Sequence, residues 1–217
     1  MEQIKSKEAK YKNKRIDFMQ TLFLEKGELF KLNLVFVLCC LLVITIPASI
    51  SALSRVTLDM FLDEHGNLIK DFFKTFKSNF KKSTICGLAM FAMIFFAAFA
   101  AYYYWIAAIS SSNMFYIPFI TMLIALITLV FSSFYMFTLI ALVDLPLKNI
   151  VKNSIALSLK QFKNNVLSLI IAAILILFLF SFIPFSFVLV LLGWPVIICC
   201  VIVYLSYPGI EKCITIE

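Results

Sequence analysis

The chain has 217 residues, of which 63% are hydrophobic, 16% aromatic and 14% charged. That much apolar surface cannot be hidden inside a small water-soluble globule, so the composition excludes that class and calls for lipid as solvent. The formal charge of +7 does not indicate nucleic acid, because the lysines lie in short connections between apolar runs, where they fit a membrane surface.

Residues 1–31 form a densely charged segment that ends in "FMQTLFLEKGELFK", where Phe18, Leu22, Phe23 and Phe30 can lay an amphipathic face on the bilayer. It is much longer than the n-region of a secretory signal and is expected to be a cytoplasmic segment. Crossing a bilayer takes roughly 20 apolar residues. Apolar runs of that order predict membrane helices over residues 32–46, 84–109, 114–143, 166–183 and 186–207.

Between the first two runs lies "PASISALSRVTLDMFLDEHG", residues 47–66, which is either a loop or a further helix. Charge decides. With five crossings the basic residues divide as 8 on one side and 11 on the other, which violates the positive-inside rule in either orientation. A second, short and partly polar helix over residues 48–62, turning at Ile46-Pro47, brings 18 of the 19 basic residues to one side and leaves Arg55 within a helix. Pro47 suits the first turn of such a helix, and Gly66 suits its end.

Two stretches are amphipathic rather than apolar. In "LIKDFFKTFKSNFKKS", Lys70, Lys74, Lys77 and Lys81 form one helical stripe, with Ile69, Phe72, Phe73, Phe76 and Phe80 on the rest. In "LKNIVKNSIALSLKQFKNN", Val151, Ile155, Leu159 and Phe162 recur at helical steps. Both are expected to be interfacial elbow helices, over residues 68–82 and 148–164, each leading into a span. "KTFKSNF" at residues 74–80 aligns with "KQFKNNV" at residues 160–166, a weak internal repeat. The expected fold is therefore all-α: a polytopic bundle of six membrane helices and two elbows forming one domain over residues 32–208, with a cytoplasmic tail over 209–217.

Ser51, Arg55 and Asp59 share one stripe of the short helix, opposite Leu53, Val56 and Met60. Arg55 and Asp59 are four apart, the spacing at which helical side chains meet, and are the candidate buried polar pair. Structural pairing is the favoured reading, and a solute or ion pathway is the alternative. Lys70, Lys74, Lys77, Lys81, Lys82, Lys148, Lys152, Lys160 and Lys163 are candidate contacts for anionic lipid at the inner leaflet. "YYYW" at residues 102–105 fits an aromatic belt at the outer interface, Tyr204 and Tyr207 the inner end of the last helix, and Gly193-Trp194-Pro195 predicts a kink within it.

Common catalytic and nucleotide-binding signatures (HExxH, GxSxG, the P-loop, GxGxxG) are missing from the sequence. His65 is the only histidine and, beside Asp63 and Glu64, reads as a solvated turn residue. Asp144 reads as the inner end of a long helix. No CxxC occurs, and Cys39, Cys40, Cys86, Cys199, Cys200 and Cys213 are expected to serve packing. No catalytic residue, metal or cofactor is expected.

"LNL" at residues 32–34, "TIPASISAL" at 45–53 and "HGNLIKDFFKTFKSNFKKSTICGL" at 65–88 resemble the YesL-type bacterial integral membrane proteins, a family of unknown biochemical function. That family more often has glycine where Pro47 stands. The resemblance covers the first half of the chain by motif and the second by hydropathy. It implies a bacterial cell-membrane protein accessory to carbohydrate uptake, with a sugar transporter as partner; the charge distribution puts both termini in the cytoplasm, and the lack of catalytic residues points to a non-catalytic role. The alternative is a small-solute transporter or channel with Arg55 and Asp59 in its pathway; an enzyme acting on lipid or glycan has the least support.

Overall fold

The computed structural model describes residues 26–61, 66–110, 112–143, 145–181 and 186–214. All regular structure among them is helical: α1 (Lys26–Cys40), α2 (Ile46–Phe61), α3 (Leu68–Ser110), α4 (Tyr116–Leu142), α5 (Leu147–Lys160), α6 (Phe162–Ser181), α7 (Ser186–Leu192) and α8 (Trp194–Ile214). Short 3-10 turns at Val43–Thr45 and Asn113–Phe115 lead into α2 and α4. Among the described residues, four stretches are long and apolar enough to cross a bilayer: Val43–Phe61, Leu68–Ser110, Asn113–Leu142 and Phe162–Ser181. Trp194–Ile210 is a shorter apolar helix. The architecture is that of a membrane helix bundle.

The stretch from Pro47 onward is a helix. α1 ends at Cys40 because the Thr45 hydroxyl reaches back to the carbonyls of Cys39 and Leu42, the latter at 2.6 Å, and so satisfies acceptors that a continued helix would have used. The reversal therefore falls just before Ile46-Pro47. Pro47 then sits in the first turn of α2, where its missing N–H costs no hydrogen bond.

Elbow and span are not separate in the first half of the chain. α3 runs without interruption from Leu68 to Ser110, 43 residues or about 65 Å. Asn67 caps its start, its Oδ1 accepting from the Lys70 N–H at 3.2 Å. From there to Ser110 the segment contains no proline, so the change from amphipathic to apolar at Ser83 alters the helix's surroundings and leaves its backbone intact. In the second half the corresponding junction does break. α5 ends at Lys160, Gln161 leaves the helical conformation (φ −105°, ψ 32°), and α6 begins at Phe162.

α2 is the centre of the bundle, packed by α1, α3, α4 and α8. Its Leu53, Val56, Met60 and Phe61 join Leu29 and Leu32 of α1, Leu68 and Phe72 of α3, and Val196 and Cys200 of α8 in one apolar core. A second core gathers Cys86 and Met90 of α3, Tyr135, Met136, Leu139 and Ile140 of α4, Ile150 and Leu157 of α5, and Ile210 of α8. The distal part of the α3–α4 hairpin faces outward instead, with Phe91, Phe95, Phe96, Phe99, Ile117, Ile120 and Ile124 exposed. A contiguous apolar surface of that kind is untenable in water and ordinary against acyl chains.

The last apolar run breaks where a kink is expected. Gly193 has φ 126°, a conformation that side chains with a Cβ rarely adopt, and it separates α7 from α8. Asn33 of α1, fully buried, covers the break: its Nδ2 donates to the carbonyls of Val190 and Leu191, both at 2.9 Å. The Trp194 indole N–H donates to the Leu175 carbonyl at 2.9 Å and so pins the start of α8 to α6.

Candidate functional site

The polar residues of α2 point into the bundle. Ser49, Ser51, Ser54 and Thr57 are all buried. In an apolar surrounding each hydroxyl needs an acceptor close by. Ser49 donates to the Thr45 carbonyl at 2.9 Å, Thr57 to the Leu53 carbonyl one turn back, and Ser51 across to the Phe137 carbonyl of α4 at 3.1 Å. Ser54 and Thr57 also flank the Cys199 sulfur of α8, at 3.8 and 4.0 Å.

Arg55 and Asp59 meet one helical turn apart on the same face as Ser51, with Nε donating to Oδ2 at 2.9 Å. Their side chains retain 21% and 15% of their exposure, so the pair is shielded without being sealed off. A guanidinium and a carboxylate at this spacing neutralise each other and lower the cost of burying either alone.

A second polar cluster joins α4, α5 and α6. Tyr135 donates through its hydroxyl to Asn165 Oδ1 at 2.6 Å, Asn165 Nδ2 donates to the Ser158 carbonyl at 2.8 Å, and the hydroxyls of Ser132 and Ser154 lie 2.9 Å apart. All five side chains are buried. The sequence reading missed this cluster, although Ser154, Ser158, Asn165 and Ser168 recur at steps of four, seven and three residues, the signature of one helical face. It also missed the two close glycine contacts. A Cβ on Gly87 would lie 2.4 Å from Pro47 Cβ, and one on Gly209 would lie 2.8 Å from Gln161 Cγ.

The lysines are on the surface. Lys70, Lys74, Lys77 and Lys81 of α3 are exposed and Lys82 is half-buried; Lys148, Lys152 and Lys160 of α5 and Lys163 of α6 are exposed. The structure therefore keeps the Arg55–Asp59 pair and the nine lysines apart, the first inside the bundle and the second outside it. Asp63, Glu64, His65 and Asp144 lie outside the described residues, as does the side chain of Cys213. Among the described residues no three histidine, cysteine or acidic side chains converge as metal ligands. Cys39, Cys40, Cys86, Cys199 and Cys200 are free thiols.

At the distal end of the hairpin, Trp105 packs edge-on to Tyr116 with ring centroids 6.4 Å apart and lies 5.1 Å from Phe119, while Tyr102 and Tyr103 stay exposed. Amphipathic rings in this setting suit a membrane–water interface.

Residues 29–102 match the model of a family described as a protein of unknown function, DUF624, the family to which YesL proteins belong. The match runs from α1 through α2 to the tyrosines of α3. No curated protein and no solved structure matches the chain.

Proposed function

We propose that the chain is a YesL-type protein of a bacterial cytoplasmic membrane, with six membrane helices and both termini in the cytoplasm, and that it serves as a non-catalytic accessory or regulatory component of carbohydrate uptake. The non-catalytic part rests on the sequence, which lacks the common catalytic signatures; the observation that supports a structural role for the ionisable residues of the central helix is the Arg55–Asp59 pair, whose contact at 2.9 Å within α2 lowers the cost of burying either alone. The six helices in this reading are α1, α2, α3, α4, α6 and the broken pair α7–α8. The distribution of basic residues supports the orientation, since 18 of 19 fall to one side when α2 returns the chain. The carbohydrate link rests on the family resemblance alone.

Affinity purification from mild detergent, with growth of a deletion strain on a panel of sugars, tests the role. Recovery of a permease or its ATPase together with a sugar-specific growth defect is expected. Repeated recovery of the protein alone, with normal growth on every sugar, overturns it. For the topology, a cysteine introduced at residue 65 in a cysteine-free background should resist an impermeant thiol reagent in intact cells, and labelling there refutes the orientation.

A second reading has one observation in its favour. Arg55 and Asp59 retain some exposure, as a hydrophilic path through the bundle would require, although Ser51 on the same face is fully buried. Solute flux in liposomes that disappears in Arg55→Ala, with the fold intact, would select it over the accessory role.

A further inference from the structure

Because α3 is uninterrupted, its lysine stripe and its apolar stripe lie on one continuous helical face. Lys70, Lys74, Lys77 and Lys81 recur at steps of three and four, and the same face continues as Ile85, Leu88, Phe95 and Phe99. These four apolar side chains are 60%, 52%, 65% and 62% exposed, whereas Phe72, Ser83, Cys86 and Met90 on the opposite face are buried. The face changes from cationic to apolar within one turn, between Lys81 and Ile85. From Lys81 to Tyr102 the helix covers about 31 Å, close to the roughly 30 Å of a bilayer's hydrocarbon core. The change of character therefore falls where phosphate gives way to acyl chain.

At that level an open groove of about 620 Å³ has its described lining, Phe76, Lys77, Ser78, Phe80, Lys81 and Lys82, entirely on α3. Its cations accompany two half-buried phenylalanines, whose faces offer apolar contact beside the charges. We propose that this groove holds the headgroup of an anionic phospholipid, with the Lys77 and Lys81 ammonium groups on the phosphate and one acyl chain along Ile85, Leu88 and Phe95. A soluble anion would be served by the lysines but would leave the adjoining apolar stripe unused. A lipid matches both parts, in the order in which they occur along the helix.

The test uses the full chain purified in neutral detergent, with phosphatidylglycerol and phosphatidylcholine titrated separately and bound lipid counted by native mass spectrometry. The wild type is expected to prefer phosphatidylglycerol. Lys77→Gln/Lys81→Gln should lose about 30-fold of that preference, Lys77→Arg/Lys81→Arg should keep it, and Lys148→Gln/Lys152→Gln on α5, which removes the same charge, should change it little. Unaltered helical circular dichroism shows that each variant has folded. Equal binding of the two lipids by the wild type, or an equal loss in the α5 variant, overturns the assignment. Displacement of the lipid by glycerol 3-phosphate at matching concentration also overturns it, because the site would then be one for a soluble phosphate.

Discussion

At Gly87 α3 packs tightly against the start of α2, and enlarging it has a calculable effect. A methyl group there would lie 2.4 Å from Pro47 Cβ and 2.6 Å from Pro47 Cγ, with Phe137 Cε1 of α4 at an ordinary 3.5 Å. Carbon atoms normally rest about 3.5–4.0 Å apart, so Gly87→Ala requires a displacement of about 1 Å. Pro47 cannot swing aside, since its ring is bonded to the backbone in the first turn of α2. The helices must part, and overpacking of this kind costs about 1–3 kcal/mol. For a chain of this length that is a fall of about 2–12 °C in melting temperature, readable by thermal challenge and fluorescence-detected size exclusion in detergent. The identity of the clashing atoms gives a sharper check. Pro47→Ala keeps the Cβ at fault and should leave Gly87→Ala as damaging as before. Pro47→Gly removes both offending carbons, so adding Gly87→Ala to it should cost little beyond Pro47→Gly alone. If Gly87→Ala melts with the wild type, or if the alanine at position 47 relieves it as fully as the glycine does, the packing argument is wrong.

Tyr135→Phe removes the donor to Asn165 Oδ1 and leaves a buried acceptor behind, so a loss of about 1–3 kcal/mol is expected in the same melt; unchanged or increased stability would show that the hydroxyl is not holding α4 to α6. Gly193→Ala should cost about 1–2 kcal/mol for its positive φ. Because no atom lies within 4 Å of the added carbon, Gly193→Ser should cost the same, and a strong dependence on size would contradict a purely conformational cause. Arg55→Ala and Asp59→Ala should each destabilise the bundle, while the double variant loses less than the two combined, with a coupling of about 0.5–3 kcal/mol. Strict additivity would mean that the pair contributes nothing by facing each other.

The helix α2 was legible because two independent signals agreed: a proline suited to a first turn, and a charge distribution that meets the positive-inside rule when a further helix is placed there. The continuity of α3 was less so. Hydropathy changes sharply at Ser83, but hydropathy describes what surrounds a helix, while a helix ends only where its backbone bonding fails, and nothing between Leu68 and Ser110 forces that. The break at Gln161 has the opposite origin. "SLKQFKNN" contains neither glycine nor proline, so no local rule places an end there. Two contacts accompany it: Asn165 Nδ2 takes the Ser158 carbonyl seven residues back, and α8 approaches so closely at Gly209 that a Cβ there would meet Gln161. The second of these joins residues 48 positions apart and leaves no periodic trace in either segment.

The same reasoning explains which helix occupies the centre. In a water-soluble protein the most apolar helix is the most buried. Here α2, the least apolar of the four membrane-length stretches, has 61% of its window buried, against 6% for the most apolar stretch, α4. Apolar side chains gain nothing by leaving lipid for the protein interior, whereas a hydroxyl, amide or charged group gains a partner there that acyl chains cannot supply. Ser51 finds the Phe137 carbonyl, Asp59 finds Arg55, Asn33 finds the end of α7 and Asn165 finds Tyr135. The Arg55–Asp59 pair stays within α2, but Ser51, Asn33 and Asn165 each bind a different helix, so the polar residues within apolar runs, more than the apolar runs themselves, determine which faces of this bundle meet.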